Sequence, residues 1–234
     1  MTGEKLLGKY YSGQREIQIE HRRFHADGSL FWVVASIQLI PDPFTKDVKA
    51  FILVKDIDAQ KKKDLELRSL IELDALTGLL NRGTVVSRVT ELLRQGPAGA
   101  EHGLIMLDLD NFKLLNDSRG HQFGDEVLRE VAESLRDVLR RQDLCGRLGG
   151  DEFVVFLPHI PGGPELEKRL EVLRGAAARD YGEGLSITGS LGLARYPQDG
   201  ITFDELYRKA DLALYEAKRR GRDRFVIYHP DLED

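Results

Sequence analysis

Four carboxylates lie in two short stretches: Asp108 and Asp110 at the end of GLIMLDLD, and Asp151 and Glu152 inside RLGGDEFVVFLP, residues 147–158. Each pair adjoins an apolar run that reads as buried strand. Acids gathered at one sheet edge repel one another unless a counter-charge is present. A hard divalent cation suits them. Mg²⁺, with Mn²⁺ as the alternative, takes one or two carboxylates, keeps waters and draws remaining ligands from substrate phosphates. Asp108 and Asp110 share a face if their strand continues to Asp110. Gly149 and Gly150 have no Cβ and let the backbone approach a bulky ligand. The stretch Asn111–Asp117 reads as a short helix whose first N–H groups point to the same place, and helix N-termini hold phosphates.

Two further pairs extend this chemistry. The Asp125 carboxylate can accept from the N1–H and N2–H₂ edge of guanine, and the Asn116 amide can contact N3 or N2 of that base. Lys218 and Arg222 stand one helical turn apart and can both face terminal phosphates. Together these residues suggest a nucleoside triphosphate site and nucleotidyl transfer, with a 3′-hydroxyl attacking the α-phosphorus. Each feature also has a plainer reading. Asp125 can be an N-cap for a helix that follows it. The two glycines can be a hairpin turn. Asp108 and Asp110 can be solvated strand ends, and Lys218 and Arg222 can be cations at a helix C-terminus.

The elements that must position these residues follow from periodicity. Val85, Val89 and Leu93 mark a helix stopped by Gly96. Gly103–Leu109 is an apolar strand, and Glu126–Arg141 is a helix with Val127, Val131 and Leu135 inward. Strands Cys145–Leu148 and Phe153–Leu157 come next, then a helix over about Pro164–Ala178 and a strand over Leu185–Ala194. A helix over Phe203–Arg220 opens with the capping box TFDE at residues 202–205 and closes at Gly221. Arg224–Tyr228 is a last strand. The inner order is the split βαβ, ferredoxin-like βαββαβ arrangement of an α+β domain. Its first and third strands are central antiparallel neighbours, which brings Asp108 and Asp110 beside Asp151 and Glu152.

Upstream, residues 1–57 read as three strands in meander: Glu16–Phe24, Ser29–Ile40 and Val48–Val54, with Asp27-Gly28 as a hairpin turn. Residues 58–73, DAQKKKDLELRSLIEL, are charged and lack Gly and Pro. They read as a linker helix with Leu67, Leu70 and Ile71 on a narrow stripe, either coiled-coil-like or a solvated connector. The chain of 234 residues is 41% hydrophobic, ordinary for a globular protein of one large or two smaller domains. Its longest apolar run, Leu30–Ile40, is interrupted by Ser36 and Gln38, so no membrane segment is expected. The single cysteine, Cys145, fits a reducing, cytoplasmic compartment. A net charge of −5 argues against a nucleic-acid polymer as partner and leaves room for one local basic site.

GGDEF at Gly149–Phe153 resembles the name motif of the GGDEF family of diguanylate cyclases. DALTGLLNR at residues 74–82 is similar to that family's opening DxLTGLxNR. DLDNFK through Asn116-Asp117 is similar to DxDxFKxxND, and GHQFGD at residues 120–125 to GHxxGD. ALYEAK with Gly221-Arg222 resembles the closing ALYxAKxxGRN, with Asp223 in place of the final Asn. The resemblance covers about residues 74–228. It implies a palm-like nucleotidyl-cyclase domain over residues 74–234, with an extra helix and strand around the ferredoxin-like core. It also implies condensation of two GTP into cyclic di-GMP. Asp108, the Leu109 carbonyl and Asp151 would hold the ion. Glu152 would act as a further catalytic acid. Asn116 and Asp125 would read guanine, and Phe112, Lys113, Lys218 and Arg222 would meet phosphates. A product of two symmetric halves implies a two-fold homodimer with facing sites.

Arg140-Arg141-Gln142-Asp143 resembles the family's RxxD product-inhibition site, five residues before the glycine pair, with cyclic di-GMP as feedback inhibitor. Arg140 would grip guanine O6 and N7 and Asp143 the other edge. Asp27–Val33 and Val54–Asp58 resemble the final strands of a PAS sensor domain whose first elements are absent, as expected of a fragment of a longer protein. His21 and His25 read as exposed strand histidines rather than haem ligands. The competing expectation is a silent receptor that binds GTP or cyclic di-GMP without turnover. Retention of Asp108, Asp151 and Glu152 argues against it.

Overall fold

A computed structural model describes residues 11–13, 15–45, 47–63, 72–96, 99–182 and 184–233. The chain divides into two units, Met1–Ser69 and Leu70–Asp234. In the first, β1 (Glu16–Phe24), β2 (Leu30–Pro41) and β3 (Val48–Asp56) form an antiparallel meander in the order β1-β2-β3. The β1–β2 turn is fixed chemically. The Asp27 carboxylate accepts from Ser29 N at 2.8 Å and Ser29 Oγ at 2.7 Å, while Gly28 takes φ 84°. Alternation along β2 buries Val33, Ala35, Ile37 and Leu39 on one face. His25 is exposed and stacks on Phe31 just beyond the end of β1, whereas His21, within β1, is half-buried instead of exposed and accepts from Arg23 Nε at 3.2 Å. Residues 58–63 are helical. The expected stripe of Leu67, Leu70 and Ile71 lies outside the described residues.

The second unit contains β4 (Leu80–Asn81), α1 (Arg82–Gln95), β5 (His102–Asp110), α2 (Phe112–Arg119) and α3 (His121–Val138). After them come β6 (Leu144–Gly149), β7 (Glu152–Pro158), α4 (Pro164–Ala177), β8 (Arg179–Asp180), β9 (Ser186–Tyr196), α5 (Phe203–Arg219) and β10 (Phe225–Ile227). The main sheet runs β10-β9-β5-β7-β6-β4, with β8 paired to β9. Its inner four strands, β9-β5-β7-β6, have the ferredoxin-like order. β5 is antiparallel to both β7 and β9.

β5 is buried along its whole length, so period-two alternation sorts its side chains between two apolar layers. Ile105, Leu107 and Leu109 join the layer of Val127, Val131 and Leu135 from α3 and Leu166 and Leu170 from α4. Leu104 and Met106 join the layer of Val85 and Val89 from α1 and Leu206, Ala210 and Leu214 from α5. Asp108 and Asp110 continue this second face. A one-residue slip would keep leucines buried but push both carboxylates into the α3–α4 layer, at several kcal/mol each. The acids therefore help to set the register. α5 can lie close on β9 because position 192 is glycine: a Cβ there would overlap the Ala210 carbonyl and the Leu214 amide. The expected capping box is present, with Glu205 N donating to Thr202 Oγ1 and the Glu205 carboxylate accepting from Thr202 N.

The largest differences from the expected helix boundaries are at the two ends of α3. α3 starts at His121 instead of Glu126, so Asp125 lies inside its first turns and is not its N-cap. α3 ends at Val138 instead of Arg141. The Arg140 amide donates to the Asp143 carboxylate at 2.8 Å instead of extending the helix.

Candidate active site

Asp108 faces Glu152 directly in the β5–β7 register. Directly opposed residues of an antiparallel pair share a face. Leu109 N donates to the Asp151 carbonyl at 3.3 Å, which ties the hairpin tip to the end of β5. The tip turns through Gly149 at φ 147° and Gly150 at φ 53°, a geometry that side chains resist. Asp108, Leu109, Asp151, Lys113, Lys218 and Arg222 are among the residues that line one cleft of about 340 Å³.

Lys218 reaches this cleft from the last turn of α5. Its Nζ stands 2.8 Å from Asp108 Oδ1. The neighbouring Arg219 and Arg220 both turn to Glu216, each Nε at 2.6 Å, and so leave the cleft to Lys218 and Arg222. Burial pushes the Asp108 carboxyl up to about 6. The Lys218 ammonium opposes this rise, and the charges on Asp151 and Glu152 add to it. A cation close to such an acid favours its charged form. Among the described residues no three of His, Cys, Asp and Glu are grouped to hold a metal alone. Two carboxylates and a backbone carbonyl would leave the rest of the shell to water and phosphate, as Mg²⁺ prefers.

α2 opens onto the same cleft. Its N-cap, Asn111, is left-handed at φ 62° and makes no side-chain cap. The Phe112 ring is 8% exposed and belongs to the core, so what this residue offers the cleft is its backbone N–H. Lys113 and Asp125 are exposed. Asn116 Oδ1 is buried and without a hydrogen-bond partner. It lies against Gly124, where a Cβ would overlap it and stand 2.9 Å from Asn116 Cγ.

Asp110 is 2% exposed. Sequence reasoning grouped it with the acids, but its carboxylate accepts from Thr188 Oγ1 at 2.7 Å, Ser190 Oγ at 2.8 Å and Asp223 N at 3.1 Å. Arg147 was missed altogether. Its guanidinium donates twice to the Gly150 carbonyl, at 2.9 and 2.7 Å, and pairs with Asp74 at 3.2 Å. Burial pushes the Asp74 carboxyl up, but hydrogen bonds from Thr77 and Arg147 outweigh this and hold it below the usual carboxylate range. Arg147 thus staples the hairpin tip to the DALTG turn. The signal was its place two residues before the glycine pair, but its partner is 73 positions away in sequence.

A second cleft, of about 360 Å³, is lined by Arg88, Arg136, Arg140, Arg141 and Asp143 among others. Arg140 is exposed. The Asp143 side chain is only 2% exposed, accepts from the Arg140 amide and is ion-paired with Arg169 of α4.

A ferredoxin-like sheet with acids and a lysine at one end of its central strands defines a mixed α+β nucleotide-cyclase-like fold. The chain belongs to the family described as diguanylate cyclase, GGDEF domain, whose profile matches residues 71–224. It is 36% identical over 226 residues to the diguanylate cyclase DgcP of Pseudomonas aeruginosa, covering 95% of this chain and 31% of that protein. It is 38% identical over 177 residues to the diguanylate cyclase DgcM of Escherichia coli, covering 74% and 42%. The coiled coil and GGDEF domain of DgcB from Caulobacter crescentus, solved in complex with c-di-GMP, superposes with a TM-score of 0.64 at 28% identity. That match covers 73% of this chain and 93% of the solved one. The chain therefore spans less than half the length of these two curated relatives.

Proposed function

We propose that the C-terminal unit is a diguanylate cyclase that condenses two GTP into cyclic di-GMP. The 3′-oxygen of each GTP bonds to the α-phosphorus of the other, each P–O bond to pyrophosphate breaks, and two pyrophosphates and two protons leave. The observation that carries this reading is the cleft in which Asp108, paired with Lys218, meets Asp151 and the uncapped N-terminus of α2.

Asp108, the Leu109 carbonyl and Asp151 would hold Mg²⁺ or Mn²⁺, which supplies Lewis-acid charge at the reacting oxygens when bound. Glu152, opposite Asp108, takes the proton of the 3′-hydroxyl. Lys218 and Arg222 meet the terminal phosphates, with Lys113 and the first N–H groups of α2 opposite them. Asn116 and Asp125 read guanine. Each domain holds one GTP, so two copies face each other across a two-fold axis. The arginine cleft is the product-inhibition site. Arg140 grips guanine, and the already engaged Asp143 braces the Arg140 turn. The three-stranded sheet supplies the last strands of a PAS-type sensor, a reading supported by its meander and its Asp27-Gly28 hairpin.

The test is incubation with GTP and Mg²⁺, assayed for pyrophosphate and cyclic dinucleotide over a range of protein concentrations. Product should form with a rate per molecule that rises with concentration, and Asp151→Ala should form none. GTP binding without turnover in the unaltered protein would favour the silent receptor.

A further inference from the structure

We infer that Asp110 is a positioning residue for the phosphate clamp, holding the Arg222–Asp223 turn instead of joining Asp108 and Asp151 at the ion. This inference rests on reading the cleft as a nucleoside triphosphate site. A carboxylate has about four lone-pair positions. Three of those on Asp110 are filled, by Thr188, Ser190 and the Asp223 amide. Arg222 Nε stands 3.9 Å from Oδ1, and the Asp110 side chain is wholly buried. A carboxylate so saturated has little left for a cation, although it is only two residues from Asp108 on the same strand face.

What it holds is unusual backbone. Arg222 and Asp223 both lie in the left-handed region, at φ 63° and 48°. Residues with a Cβ seldom occupy that region, and two in succession need external support. Support arrives from four contacts. Arg222 N donates to the Ala217 carbonyl at 3.1 Å, the Arg222 carbonyl accepts from Arg224 Nε at 3.0 Å, the Asp223 carboxylate pairs with Arg174 of α4, and the Asp223 amide is held by Asp110. Of these, only the Asp110 carboxylate also faces the Arg222 guanidinium. It therefore fixes both the path of the turn and the charge that the turn delivers to the cleft.

Binding of GTP in saturating Mg²⁺ is to be measured for the unaltered protein, Asp110→Asn, Arg222→Ala and the double variant. Asp110→Asn keeps the shape but removes the charge, and its amide cannot satisfy the Asp223 N–H as fully. It should weaken GTP binding about tenfold, with little further loss when added to Arg222→Ala, because both act through one group. The Mg²⁺ concentration giving half-maximal GTP binding should stay within about twofold, as expected for a group outside the ion's shell. Equal GTP affinity for Asp110→Asn and the unaltered protein would overturn the inference. So would an undiminished loss in the Arg222→Ala background, or a large rise in the Mg²⁺ required. If Asp110→Asn does not fold, Thr188→Val removes one bond to the same carboxylate and should show a smaller loss with the same dependence on Arg222. Should the unaltered protein fail to bind GTP at all, the reading of the cleft falls, which is a different result from equal binding by the variants.

Discussion

The cleft at Asp108 and the cleft at Arg140 are nearly the same size, about 340 and 360 Å³. They are built in opposite ways. At the first, the acids crowd together, and Asp108 has Lys218 as its direct cationic partner. Its carboxyl is raised to about 6, chiefly by burial. At the second, cations crowd together, and Asp143, the one acid among the described lining residues, is consumed by Arg169 and the Arg140 amide. Electrostatic tension at the first suits chemistry on a charged group. The satisfied acid at the second suits a rigid platform for holding a finished anion.

The sharpest way to break this contrast is Asp151→Ala. Turnover should fall by about a thousandfold or more, while cyclic di-GMP still binds the arginine cleft, as followed by calorimetry. If product affinity collapses as well, the two clefts are not separate devices. Next in size is Arg140→Ala, which removes the guanidinium proposed to grip guanine in the arginine cleft. Product affinity should drop about tenfold to a hundredfold, and an unchanged affinity rejects the platform. Gly124→Ala forces a methyl group against Asn116. The KM for GTP should rise about tenfold through misplacement of the amide, and discrimination between GTP and ITP, which lacks the 2-amino group, should narrow. A fold defect alone would leave that discrimination intact.

The smallest effect concerns pH. The Asp108 carboxyl titrates near 6 in the folded, ion-free protein and near its ordinary 3.8 when unfolded. The folded state therefore binds the proton more tightly. This group's contribution to stability is complete below about pH 4 and is lost as pH rises through about 6. Asp108→Asn should flatten that part of the curve of unfolding temperature against pH. With Mg²⁺ present the trend should reverse, because the ion competes with the proton, so ion binding should weaken as pH falls through 6.

The gathering of Asp108 with Glu152 was legible in the sequence, because one topological rule places the first and third strands side by side. The Thr202 capping box was legible because its partners are three residues apart. The start of α3 was not. Phe123 already keeps the four-residue spacing to Val127 and packs on the core, but Gly120 and Gly124 read as loop and Asp125 mimics a cap, so the turn from His121 was not recognised as helix. The saturation of Asp110 by Thr188, Ser190 and Asp223, the Arg147 staple to Asp74 and the loss of Asp143 to Arg169 were also hidden. Each joins residues 26 to 113 positions apart, and no local pattern encodes such a partner.

If Asn116 reads the base as proposed, Gly124 limits any attempt to retarget the protein to another nucleobase. The side chain at position 116 rests on bare α3 backbone, so the room available to a replacement is bounded from beneath by a helix rather than by adaptable side chains. Swaps of equal or smaller volume at 116 fit that ledge. Bulkier ones must displace α2, and the end of that helix that opens onto the cleft would move with them.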